Sequence, residues 1–101
     1  TATYNIDGGK ITAFISKQKN SQEAKNLAKS FYKYFITFGG KDMKPDIAIK
    51  DAKMIEIMGT FEIMFSLNSY LAGVHEASTR IQAETMAEKL AAKLQEALYT
   101  K

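Results

Sequence analysis

The chain reads as an α+β fold: a two-layer sandwich of one antiparallel sheet of about five strands with two helices on one face, in the order β-β-α-β-β-β-β-α. Three observations predict it. Two amphipathic segments, each opened by capping residues, lie near residues 21–38 and from Thr79 onward. Between them, apolar and polar residues alternate with period two. Short pairs rich in Gly, Asn and Ser punctuate that alternation where hairpins turn.

The first hairpin is expected from Thr3–Ile6 and Lys10–Ser16 around Asp7-Gly8-Gly9, residues that supply the positive φ of tight turns. In its second run Ile11, Ala13 and Ile15 alternate with Thr12, Phe14 and Ser16, which leaves Phe14 on the otherwise polar side. Asn20-Ser21-Gln22-Glu23 has capping-box spacing and opens a helix. Its apolar stripe runs through Ala24, Leu27, Ala28, Phe31, Phe35 and Phe38 to the stop at Gly39-Gly40. Pro45 turns the chain to an extended course, and Ile47 and Ile49 predict a short strand there.

Next, Ile55 and Ile57 are expected on one side of a strand and Met54, Glu56 and Met58 on the other. Gly59-Thr60 fits a two-residue type II′ turn. Phe61, Ile63, Phe65 and Leu67 then share a side opposite Glu62, Met64 and Ser66. Asn68-Ser69 turns the chain into a strand from Tyr70 to Glu76. Ser78 or Thr79 caps the last helix, whose stripe is Ala83, Met86, Ala87, Leu90, Leu94, Ala97 and Leu98.

With 101 residues and 46% hydrophobic content, residues 1–101 suit one domain with a real core. No run of about 18 apolar residues is present to span a membrane as a helix. The absence of Cys removes disulfides, thiolate metal ligands and Cys nucleophiles. The single His leaves nothing from which to assemble a multi-histidine metal site, so no cofactor or metal is expected.

His75-Glu76 is the one His–carboxylate neighbour pair. Adjacent strand residues point to opposite faces, so the two are expected not to converge, and no catalytic residue is assigned. Gly73, inside a strand, marks a bulge or a close backbone approach. Lys25, Lys29 and Lys33 form a basic stripe near Tyr32 and Tyr34. The stripe suits a solvated helix face, and nucleic acid is disfavoured.

The stretch from Lys10 to Leu98 resembles the C-terminal half of an uncharacterised family of bacterial secreted or lipoprotein-like proteins. The residues that carry the likeness are Asn20-Ser21-Gln22-Glu23-Ala24, Phe38-Gly39-Gly40 and Tyr70-Leu71-Ala72-Gly73-Val74. The resemblance implies an extracytoplasmic location and a fragment of a longer chain. It implies no activity.

The functional expectation is a non-catalytic binding or assembly module acting through a sheet face or edge. The alternatives are a small enzyme and an apolar-ligand-binding domain. With both helices on one face, the other face lacks a cover. Met54, Met58, Met64, Glu56 and Glu62 are then the expected interaction surface, for a protein partner or a second copy.

Overall fold

The computed structural model describes residues 2–5, 12–49 and 51–99. Strands β1 (Ala2–Asn5) and β2 (Thr12–Lys17) precede helix α1 (Ser21–Thr37). Strands β3 (Lys41–Met43), β4 (Lys53–Ile57), β5 (Thr60–Leu67) and β6 (Tyr70–Ala77) lead to helix α2 (Arg80–Tyr99). They form one six-stranded antiparallel sheet in the order β1-β2-β6-β5-β4-β3. The α+β class and the element order are those expected. The expected Asp7-Gly8-Gly9 turn lies outside the described residues.

The helix ends follow from local chemistry. The Asn20 side chain accepts from the Glu23 N–H at 2.8 Å, and the Thr79 hydroxyl accepts from the Gln82 N–H at 3.1 Å. At the far end of α1, the Gly40 N–H donates to the Phe35 carbonyl at 2.9 Å and the Gly39 N–H to the Ile36 carbonyl at 3.2 Å. Those bonds form a Schellman cap, with Gly39 at φ 97°. A Cβ on Gly40 would sit 2.5 Å from Ile55 Cγ2 and 2.8 Å from the Phe35 carbonyl. The helix end is thereby seated against β4, and the chain enters the sheet at once as β3. The third strand is accordingly Lys41–Met43, before Pro45. The expected strand around Ile47 and Ile49 is a loop whose two isoleucines pack onto the core. Proline, with no N–H to give the ladder, marks the end of the pairing.

The helices lie on opposite faces of the sheet, which makes three layers where two were expected. Facing pairs Met54↔Ile63↔Val74↔Ala13 place these residues on one face, and Phe65, Ala72 and Ile15 join them. Ala83, Ala87, Leu90, Ala91 and Leu94 of α2 cover that side. The other face carries Phe14, Gly73, Met64 and Lys53 in one cross-strand row, with Ile55 opposite Glu62 in the next. Helix α1 lies there, with Tyr32 beneath the Lys53 ammonium at 5.6 Å and the Phe35 ring 6.5 Å from the His75 ring.

Turn arithmetic accounts for the difference. The β4–β5 turn is Met58-Gly59, both at positive φ (52° and 80°), so Ile57 faces Thr60. This is the type I′ signature rather than the expected II′ turn at Gly59-Thr60. In any two-residue hairpin an odd-numbered residue faces an even-numbered one. Ile55 therefore shares a side with Glu62 and Met64, while Met54 shares one with Ile63 and Phe65. Each face is apolar enough to require its own helix.

Candidate functional site

The site lies on the α1 side, where β5 and β6 fall out of step. Phe61 faces Ala77 and Ile63 faces Val74, so Glu62 alone stands opposite both His75 and Glu76. Two residues against one is a β-bulge, and Glu76 takes φ 62° to accommodate it. The bulge re-aims the side chains. His75 Nε2 lies 3.1 Å from Glu76 Oε1, so the neighbours converge despite the alternation expected of a regular strand.

Glu62 is 3% exposed and sits beneath this pair. One carboxylate oxygen faces His75 Nδ1, and the other accepts from the Glu76 backbone N–H at 2.8 Å. Burial pushes the Glu62 carboxyl above its ordinary range, against the opposing pull of the Glu76 N–H and of His75. The carboxylate thus ties together the two residues of the bulge. Both imidazole nitrogens of His75 face carboxylates.

Beside the bulge, a cleft of about 260 Å³ opens between α1 and the sheet. Its walls are carbon nearly throughout. Phe31 and Phe35 come from α1, Phe14 and Thr12 from β2, Met64 from β5 and His75 from β6, with Glu62 at the floor. Phe14 reaches in because Gly73 lies opposite it. A Cβ there would come within 2.8 Å of the Phe14 ring and 2.3 Å of the Ile63 carbonyl oxygen. Close approach is therefore the role of this glycine, and the bulge expected at it falls just beyond, at His75-Glu76.

Helix α1 does not bury its aromatic stripe. Within the helix only Ala24 is buried, Phe31 is 41% and Tyr34 57% exposed, and Phe38, its C-cap, is 65% exposed. The sequence had placed Phe31 and Phe35 in the core. Phe35 is half-buried, and Phe31 forms the outer lip of the cleft. On the opposite flank of α1, Lys25 and Lys29 meet Lys53, Tyr32, Asp51 and Ser66 around a second cleft of about 360 Å³. Lys33 stands outside it.

The residues expected to form an interaction surface are scattered. Met54 is fully buried under α2 and Met64 nearly so under α1. Glu62 is buried in the bulge, Glu56 is half-buried in β4, and Met58 projects from the β4–β5 turn at 95% exposure. They make no common patch, because strand pairing puts Met54 on the α2 face and Glu62 and Met64 on the α1 face, and each face has its own helix.

Phe14, Phe31 and Phe35 and the Glu62–His75 contact were missed as a site. The available signal was Phe14, an aromatic on the polar side of its strand, in a chain that also carries a mid-strand glycine. Among the described residues, no group of three or more His, Asp or Glu is placed to hold a metal ion. Nor is any helix among them long and apolar enough to cross a membrane. Comparison with family models, curated proteins and solved structures finds no match.

Proposed function

We propose that this chain is a non-catalytic binding module that works from the α1 side of its sheet, taking a small apolar group into the cleft between Phe14, Phe31, Phe35 and Met64. The observation that carries this reading is the cleft itself: carbon-lined, about 260 Å³, and left open beside a helix whose aromatic stripe is only partly covered. An apolar cavity of ~150 Å³ already accepts benzene, so this one suits a single ring or a short branched alkyl group. The non-catalytic part draws support from His75. With Glu62 on one nitrogen and Glu76 on the other, the imidazole presents no unengaged nitrogen to a substrate proton.

The test is titration with an uncharged apolar probe, 3,3-dimethylbutanol, followed by amide and methyl NMR. Saturable shifts are expected at Phe14, Phe35 and Met64, and these should weaken in Phe31→Ser. A titration that leaves these signals unmoved contradicts the reading.

A second reading keeps a polypeptide partner or a second copy, seated on the stripe of Phe31, Tyr34 and Phe38 rather than on a sheet face. The specific observation is Phe38, 65% exposed with Tyr34 packed against it at 4.7 Å between ring centroids. Sedimentation of the wild type beside Phe38→Glu separates the two readings. Concentration-dependent mass that disappears in the variant supports a second copy, and a monomer at high micromolar concentration removes self-association.

A further inference from the structure

The two flanks of α1 carry opposite charge. Around the flank facing β4 stand Lys25, Lys29 and Lys53, with Asp51 the one acid among the described lining residues and Asp42 bonded to Tyr32 there. The flank facing β2 is different. Among the described residues no lysine or arginine lines its cleft, and the charged or titratable members there are Glu62 and His75, with Glu76 joined to both. With His75 protonated the set carries a net negative charge when both carboxyls are ionised, and with His75 neutral the charge is doubly negative. The walls above it are three phenyl rings and a methionine.

An anion entering this cleft meets like charge, and with both His75 nitrogens engaged it finds only the Thr12 hydroxyl as a side-chain donor among the described lining residues. A strongly hydrated cation such as a primary ammonium meets carbon where its water was. A cation whose charge is spread over methyl groups fits both demands. It loses little hydration, the negative faces of phenyl rings attract it, and the counter-charge comes from Glu62 in the lining and from Glu76, joined to it through His75. Resting on the binding reading above, we propose that the cleft between α1 and β2 selects small hydrophobic ammonium ligands, of the quaternary trimethylalkyl kind. Phe14, Phe31 and Phe35 hold the methyl groups, and Glu62 and Glu76 provide the charge. The ligand is a free small molecule, because the cleft is sized for one such head group and little more.

Three probes of the same shape and different charge make the test: choline, 3,3-dimethylbutanol and 3,3-dimethylbutyrate, titrated into the folded chain by NMR. Choline is expected to bind the Phe14–Met64 region about tenfold tighter than the alcohol, the gain of a desolvated cation over aromatic faces. The butyrate should leave that region unmoved and, if it binds, shift Lys25, Lys29 and Lys53 instead.

Glu76→Gln, at an exposed position, should weaken choline several-fold while leaving the alcohol unchanged. Glu62→Gln should do the same wherever it folds. Equal or tighter binding of the alcohol overturns the charge selection and leaves the apolar cleft standing. Choline binding that Glu76→Gln does not alter also overturns it. A flat response to all three overturns both the selection and the reading beneath it.

Discussion

The two faces of the sheet are built from the same strands and packed to different ends. On the α2 side, Met54, Ile63, Phe65, Ala72 and Val74 are at most 1% exposed. Helix α2 meets them with Ala83 and Ala87, both at 0%, and with Ala91, so its backbone settles close onto bulky strand residues. The loop before β4 is drawn in as well. The Asp46 N–H donates to Glu84 at 2.6 Å, and Arg80 reaches both Glu84, at 3.1 Å, and the Lys44 carbonyl. On the α1 side the helix brings phenylalanines, and the sheet mixes the buried Ile55, Met64 and Leu71 with Thr12, Ser16, Ser66 and Gly73 beside a buried carboxylate. Large rings over an uneven, partly polar floor leave the helix propped and two clefts open beside it. Of the two helices α1 is the more strongly amphipathic, yet the less buried. Amphipathicity says which way a helix turns; side-chain size on both partners decides how closely it sits.

Paired truncations break that comparison most directly. Phe65→Ala, on the α2 side, is expected to cost about 3–5 kcal/mol, because the ring is 1% exposed and packs in the core even though it borders a cleft of about 320 Å³ beside α2. Phe35→Ala, the same change under α1, should cost about 1–2 kcal/mol, since the ring is only half-buried beside an open cleft. Urea denaturation of both variants measures the difference. Equal losses would mean that α1 is packed as tightly as α2.

The bulge comes next in size. Glu62→Ala removes the acceptor of the Glu76 N–H and the partner of His75, for an expected loss of about 2–3 kcal/mol. Glu62→Gln sharpens the point through pH. The folded state holds the Glu62 proton more tightly than the unfolded state, because burial raises its pKa. That stabilising share is complete below the ordinary value of 4.5 and is lost as pH rises through the raised folded value. Wild-type stability measured relative to Glu62→Gln should therefore fall from pH 4 upward. A difference that grows with pH would show that the carboxylate is favoured in place, with its hydrogen bonds outweighing burial.

The smallest effect is expected at the end of α1. Phe38→Ser should change stability by less than about 0.5 kcal/mol, given its 65% exposure. A melting temperature several degrees lower would place Phe38 in the core after all.

Much of the fold was legible because it is written locally. Asn20 and Thr79 cap the helices through their own side chains, and Gly39-Gly40 ends α1 through backbone geometry that glycine alone adopts readily. Helix placement was legible in principle. The parity of a two-residue turn binds Ile55 to the side of Glu62, and grouping Ile55 with Ile63 overlooked it. Strand β3 was hidden because Lys41-Asp42-Met43 carries no apolar alternation; it is a strand because Gly40 delivers it to the edge of β4. The site was the least legible part. A bulge that puts a glutamate at positive φ has no signature in Val74-His75-Glu76, and Glu62 becomes the partner of His75 only once β5 and β6 are paired around it.

Amide hydrogen exchange under native conditions tests the contrast between the two faces most directly. If α1 is propped over open clefts and α2 is seated in the core, the amides of α1 from Leu27 to Phe35 should exchange through local opening, at free energies well below global unfolding. Those of α2 from Ala83 to Leu94 and of β5 should exchange only with the whole molecule. Protection of α1 equal to that of α2 would contradict the account.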